Sequence, residues 1–257
     1  GKFYVWSFDE FRQTLGPSEA AFWGPVFNLK PEGNFQDEAS GHKTGANILH
    51  LTQPFGRWAG QSGLTEAQLH LRWEEARARL FAARNTRIHP LKDDKVLTDW
   101  NGLMIAALAQ GARVLGHRSY AEAAAKAARF ILETLHGSDG RLFHRFRDGQ
   151  RAINGQAGDY AFFIYGLLHL YRSTFDIFWA EKAAVLQEVM LKELWDAAGG
   201  GFFLVGAQNQ ELPVRPKELY DGAIPSANSV ALMNLLWLAR LTGETAWADK
   251  ADQLVRA

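Results

Sequence analysis

Three helix-length segments, each apolar on nearly every side, recur along this chain at a spacing near sixty residues, and each follows an aspartate. NGLMIAALAQGARVLG follows Asp99, YAFFIYGLLHLYRST follows Asp159 and GAIPSANSVALMNLLWLARLTG follows Asp221, at intervals of 60 and 62 residues. Two of the three end in a glycine suited to a left-handed C-cap. A helix with no water-facing stripe must be covered by other helices. The covering helices come next in each repeat: SYAEAAAKAARFILETL, FWAEKAAVLQEVMLKELW and TAWADKADQLVRA. They carry charges at helical spacing opposite an Ala, Phe and Ile stripe, so they have one wet face. The first two pairs close with DGRLFHRF and GGGFFLV, read as short strands or turns.

Buried helix then amphipathic helix, repeated at this period, builds a ring or solenoid of helical hairpins. Tetratricopeptide-type solenoids repeat near 34 residues and do not fit. The expected fold class is all-α, an α/α toroid, with short β segments in its loops. Residues 1–257 read as one partial toroid: 1–90 an irregular first hairpin with a long loop, then repeats over 91–150, 151–212 and 213–257. In the first part Ser7 to Glu10 reads as a capping box opening a helix to Leu15, and Thr65 to Gln68 opens another over EAQLHLRWEEARARLFAAR. The glycine-rich segment between them carries an expected strand at Asn47 to Leu51. A closed ring of six such hairpins takes roughly 360 residues at this period, so about four are present. An apolar inner edge left open makes a dimer through that edge the expected assembly.

Charge and composition exclude several classes of function. Lys plus Arg and Asp plus Glu are each 28, so no global field draws nucleic acid or an anionic membrane. The longest apolar run is about eight residues, against roughly 20 for a membrane span. Cysteine is absent, which removes disulfides and thiolate sites and agrees with a cytoplasmic setting. The ends, GKFYVWS and TAWADKADQLVRA, read as those of a stretch from a longer protein. No P-loop or dinucleotide motif and no His or Cys metal spacing occurs, so neither a cofactor nor a metal is expected.

KDDKVLTDWNGLMIAALA, the GNF and NILHL elements, GDYAFFIYGLLHLY and DGAIPSANSVALMNLLWLARLTG resemble the spermatogenesis-associated protein 20 family, whose bacterial members are the YyaL-type proteins. The resemblance implies a thioredoxin-like domain followed by a toroid similar to six-hairpin glycosidases and N-acylglucosamine 2-epimerases, of which this chain is the toroid part. It thus implies a thioredoxin-like domain of the same protein as a partner. Two departures stand out. Gly158 occupies the place of a glutamate before Asp-Tyr, and Ala227 the place of glycine in a PSGNS motif.

In a hairpin ring the starts of the inner helices gather around one mouth of a central cavity. Asp99, Asp159 and Asp221 are therefore the candidate catalytic residues. Trp100, Asn101, Tyr160, Tyr220, Ser226 and Asn228 lie beside them as candidate substrate contacts. Acids and amides bind sugar hydroxyls, aromatic faces stack on a pyranose, and paired carboxyls do acid/base work. Asp is also a preferred N-cap, so each aspartate can equally serve as a cap. His50 and His144 are the candidate proton-transfer groups; His89 precedes the DDK loop, and His169 reads as a satisfied core residue. Two functions remain open: a carbohydrate-processing or carbohydrate-binding toroid, hydrolytic or epimerising, or an inert interaction scaffold for the thioredoxin-like domain.

Overall fold

The structure, a computed structural model, describes residues 2–38, 40–208 and 214–257. The expected boundary between repeats at 212 and 213 lies outside these. The chain divides into two compact units, Gly1–Asp93 and Asp94–Ala257.

The first unit contains α1 (Phe8–Leu15), α2 (Pro17–Val26), α3 (Phe55–Ser62) and α4 (Glu66–Asn85). Ser7 accepts from the Glu10 amide, Gly16 ends α1, and Thr65 and Gln68 form the full reciprocal box at the start of α4. The Glu10 carboxylate turns away to Arg87, 2.7 Å from its guanidinium. Trp23, Phe11 and Leu69 fill the core. Asn47 to Leu51 does not form the expected strand. A single bridge, Trp6 to Asn47, takes its place. The reason is the buried Asn47 amide, which donates to the Lys30 carbonyl and accepts from the Lys30 amide, binding a loop where a strand would need a neighbour.

The second unit contains β1 (Val96–Leu97), α5 (Thr98–Leu115), α6 (Arg118–Thr134), β2 (Phe143–Arg147), β3 (Gln150–Asn154), α7 (Ala157–Thr174), α8 (Ile177–Leu194), α9 (Ala227–Thr242) and α10 (Thr245–Val255). The helices pair as the repeat requires. α5 packs on α6, α7 on α8 and α9 on α10, and α7 lies between α5 and α9. The outer helices bury one stripe each: Ala124, Ala128 and Ile131 on α6, and Trp247, Ala251 and Leu254 on α10. Of the inner helices only α7 is covered on every side. α5 leaves Met104, Val114 and Leu115 exposed and α9 leaves Met233, Leu236 and Leu241, so the expectation of full coverage fails at these two flanking helices.

The inner helices run parallel and close. Gly102 of α5 faces Phe162 of α7, and a Cβ built on Gly102 would land on the Phe162 backbone; one on Gly166 would lie 2.7 Å from the Gly102 carbonyl oxygen. Between α7 and α9 the buried Asn234 donates 2.8 Å to the Ala161 carbonyl. His169 is buried as expected but not satisfied, because both ring nitrogens lack a partner among the described residues. Burial, with Arg172 and Arg113 nearby, pushes its pKa down to about 4 and keeps it neutral.

A three-stranded antiparallel sheet, β1-β2-β3, closes the first hairpin, with Leu97 opposite Arg145 and Arg145 opposite Ala152. Asp148 and Gly149 turn β2 into β3 with φ of 50° and 75°, the two positive values that a tight hairpin turn needs. GGGFFLV forms only a bridge, Trp195 to Phe202, since the Asn228 side chain binds both the N–H and the C=O of Phe202.

The glycine contact gives a direct test. Gly102→Ala is expected to cost about 2 kcal/mol or more, because the obstruction is backbone and cannot rotate away. At roughly 2–4 °C per kcal/mol for a unit of this size, calorimetry should show a Tm lower by several degrees, whereas Gly60→Ala, with open space around it, should not lower it.

Candidate functional site

Asp99 and Asp159 lie inside the first turns of α5 and α7 rather than before them, and Asp221 lies in a loop five residues ahead of Ser226, the N-cap of α9. The three aspartates are therefore not equivalent. The Asp159 carboxylate is fully buried. Its Oδ1 accepts from the Asp99 amide at 3.1 Å and its Oδ2 from the Gln156 amide at 2.7 Å. His144 Nδ1 lies 2.9 and 3.1 Å from the two oxygens. A buried carboxylate with fewer partners would cost several kcal/mol. The fold brings His144 there through Thr98, whose buried hydroxyl donates 2.6 Å to the Phe143 carbonyl and ties β2 to the start of α5.

Ligand atoms of Asp99, His144 and Asp159 all lie within 4.8 Å of one another. The hydrogen bond to Asp159 holds the His144 pKa above its ordinary value, against the opposing effect of burial. Burial first, and the neighbouring Asp159 charge second, raise the Asp99 carboxyl. Since a carboxylate only accepts, Nδ1 of His144 carries a proton, and Nε2 makes no hydrogen bond among the described residues. As a cation site the cluster offers three side chains only, and a cation would have to displace the proton between His144 and Asp159.

Asp99, next to the buried Asp159, borders a cavity of about 310 Å³ whose wall includes Phe162, Glu218, Tyr220, Ile224 and Ser226. Tyr220 is exposed beside it, a free aromatic face. Other candidates are occupied elsewhere. The Asp221 carboxylate accepts from the Ser226 amide at 2.8 Å, which holds its pKa down. Asn228 is buried in its clip on Phe202 and also donates to the Glu218 carbonyl. Asn101 donates to the Leu97 carbonyl at 2.8 Å, and Trp100 is exposed. The Tyr160 hydroxyl accepts from the Leu142 amide, and burial pushes its pKa up to about 12. His50 belongs to the first unit, with Nδ1 on the Ile48 carbonyl and Nε2 against Asn28. Sequence reasoning missed Glu218 and Thr98. Thr98 stood next to the quoted acid, but nothing marked Glu218 apart from an ordinary surface charge.

No protein-family model matches the chain. Aligned over all of its length it is 33% identical to spermatogenesis-associated protein 20 of Rattus norvegicus and equally to that of Homo sapiens. Over its whole length the chain is homologous to spermatogenesis-associated protein 20. It spans 35% of the length of these relatives. Among solved structures it is similar to cellobiose 2-epimerase from Spirochaeta thermophila, with a TM-score of 0.52 and 19% identity over 63% of this chain and 42% of that one. It is also similar to the family 76 α-mannanase BT2949 of Bacteroides thetaiotaomicron, with 0.53 and 16% over 72% and 54%, and to a D-mannose isomerase, with 0.50 and 14% over 62% and 39%. At these identities the likeness is one of fold: the chain is a partial α/α toroid of the six-hairpin glycosidase-like kind.

Two titrations follow. His144 should show a pKa above that of an exposed histidine in an NMR titration and fall back in Asp159→Asn. Its raised folded value means that the pair stabilises fully below about pH 6.5 and loses that contribution as pH rises through the folded pKa. Asp99 has the opposite consequence, because a carboxyl raised in the folded state is destabilising once ionised. Asp99→Asn should therefore raise Tm at pH 7, with the gain vanishing toward pH 3; an unchanged difference across that range would contradict the assigned burial and repulsion.

Proposed function

We propose that this toroid belongs to a sugar-processing enzyme that moves protons beside a carbonyl, as in epimerisation or isomerisation, with His144 and Asp99 as the exchanging groups. The observation that carries this is the His144 to Asp159 pair with the raised Asp99 carboxyl beside it. Asp159 has no exposed surface and both of its oxygens are taken, so it serves as a positioning residue and not as the second carboxyl of a glycosidase pair. It holds the imidazole in one tautomer, with Nε2 left to take the proton on the carbon next to the carbonyl. Asp99, kept protonated to higher pH than usual, donates to the carbonyl oxygen as the enediol forms. Tyr220 offers a stacking face and Glu218 a hydroxyl acceptor.

The solved neighbours that share the fold are named as a cellobiose 2-epimerase, a D-mannose isomerase and an α-mannanase, and this supports a sugar as ligand. A thioredoxin-like domain of the same protein as partner, a cytoplasmic setting and a dimer through the flanks of α5 and α9 belong to the same proposal. So does the absence of a nucleic-acid partner. Among the described residues no helix is long and apolar enough to cross a membrane.

The test is deuterium exchange at C2 of neutral aldoses and ketoses in D2O, with a thermal-shift panel of the same sugars, on the intact protein. At least one sugar should exchange and should raise Tm. His144→Gln should slow exchange by about 10²-fold or more, the usual yield of a positioned acid or base, without abolishing sugar binding. If no sugar exchanges and none shifts Tm, the toroid is an inert scaffold and the proposal fails.

A further inference from the structure

Each inner helix carries an arginine in its last turn: Arg113 on α5, Arg172 on α7 and Arg240 on α9. One basic residue at a helix C-terminus is explained by the helix dipole. What the dipole does not explain is how these arginines are surrounded. Among the described residues none of the three forms an ion pair with a carboxylate. Arg172 and Arg240 line a cavity of about 330 Å³ together with Leu168, Tyr171, Trp237 and Leu241. The Arg172 guanidinium lies 4.8 Å above the Trp237 ring. Tyr165 stacks on the same ring at 5.8 Å, and His169 meets it edge-on at 4.9 Å. His169 is 4% exposed, with both ring nitrogens unpartnered.

This cavity is separate from the acid cluster. Arg172 follows Asp159 by thirteen residues on α7, which is about 20 Å along the helix axis. Its size is at the lower end of the roughly 300–1,000 Å³ typical of small-molecule sites. Two exposed guanidiniums with no carboxylate paired to them are available to an anion, and their planar forks suit a carboxylate. The indole and the two leucines offer an apolar wall that a bare inorganic ion would leave unused.

We propose that this cavity is a second ligand site, at the far end of the inner helices, for a small organic anion with a planar apolar body, an aromatic carboxylate in the simplest case. Arg172 and Arg240 take the carboxylate, and Leu168, Leu241 and the edge of the Trp237 indole pack against the apolar body. Tyr165, His169 and Arg172, all on α7, hold the Trp237 ring in place as one wall of the site.

Calorimetric titration of the intact protein with benzoate, benzamide, acetate and inorganic phosphate tests this. Benzoate should bind, with benzamide and acetate weaker by about tenfold or more, the loss expected when a charge-assisted bond or the apolar contact of the ring is removed. Arg172→Gln and Arg240→Gln should each weaken benzoate by about tenfold while Tm is kept, since both side chains are exposed. Asp99→Asn should leave benzoate binding unchanged, so this result is independent of any sugar activity. The proposal is overturned if benzoate does not bind, if benzamide or phosphate binds as tightly, or if the double arginine variant binds like the parent. Loss of benzoate binding in Asp99→Asn would overturn it equally, by moving the ligand to the acid cluster.

Discussion

The buried carboxylate of Asp159 is the interaction around which the hairpin unit is arranged. It has no water, so the fold must supply its partners, and it draws them from three places: the start of α5, the start of α7 and the strand β2. Each partner is thereby fixed relative to the others. The Asp99 amide can reach Oδ1 only if α5 and α7 begin at the same level, and His144 can reach it only if β2 is held at that same end. Thr98 repeats the instruction from the other side by holding the Phe143 carbonyl. One buried side chain thus sets both the register of two neighbouring repeats and the orientation of the imidazole proposed to do chemistry.

The close approach of α5 and α7 serves the same arrangement. Gly102 and Gly166 remove the side chains that would keep the two backbones apart, which lets an amide of one helix reach a carboxylate of the next. A one-methyl change at Gly102 would therefore act on the acid cluster as well as on packing. Asn234 performs a related task between α7 and α9 with a single buried donor. The site is precise because it stands on helices locked by backbone contact, and the loops add only walls.

How much of this was visible beforehand depended on the range of the interaction. The hairpins were legible because a sixty-residue recurrence of apolar and half-apolar helices leaves few ways to bury them, and the box at Thr65 was legible because capping chemistry is local. Asp99 and Asp159 were legible as a recurrence, and the structure places the two side by side. Asp221 followed the same count but sits outside the helix, its carboxylate bound to the Ser226 amide; spacing along the chain cannot see that a loop has lengthened. β3 went unread although Asp148-Gly149 is a strong hairpin signal. Glu218 had no signal at all, because a cavity wall is defined by residues distant in sequence. The strand expected at Asn47 fails and GGGFFLV, read as a strand or turn, keeps only a bridge for one reason: an asparagine side chain occupies the backbone groups that a neighbouring strand would have used.

Three parallel helices side by side are an electrically awkward stack, with like poles adjacent at both ends. The inner helices answer this with opposite charges at opposite ends, carboxylates in the first turns of α5 and α7 and an arginine in the last turn of every one of the three. The chain's balance of 28 basic and 28 acidic residues thus has a direction along α5 and α7, acid in the first turn and base in the last, while α9 carries only the base. A repeat of the α5 or α7 kind brings or removes an inner helix whose two poles are already compensated. Ring size can then change by such repeats without making the set of inner helices more acidic or more basic.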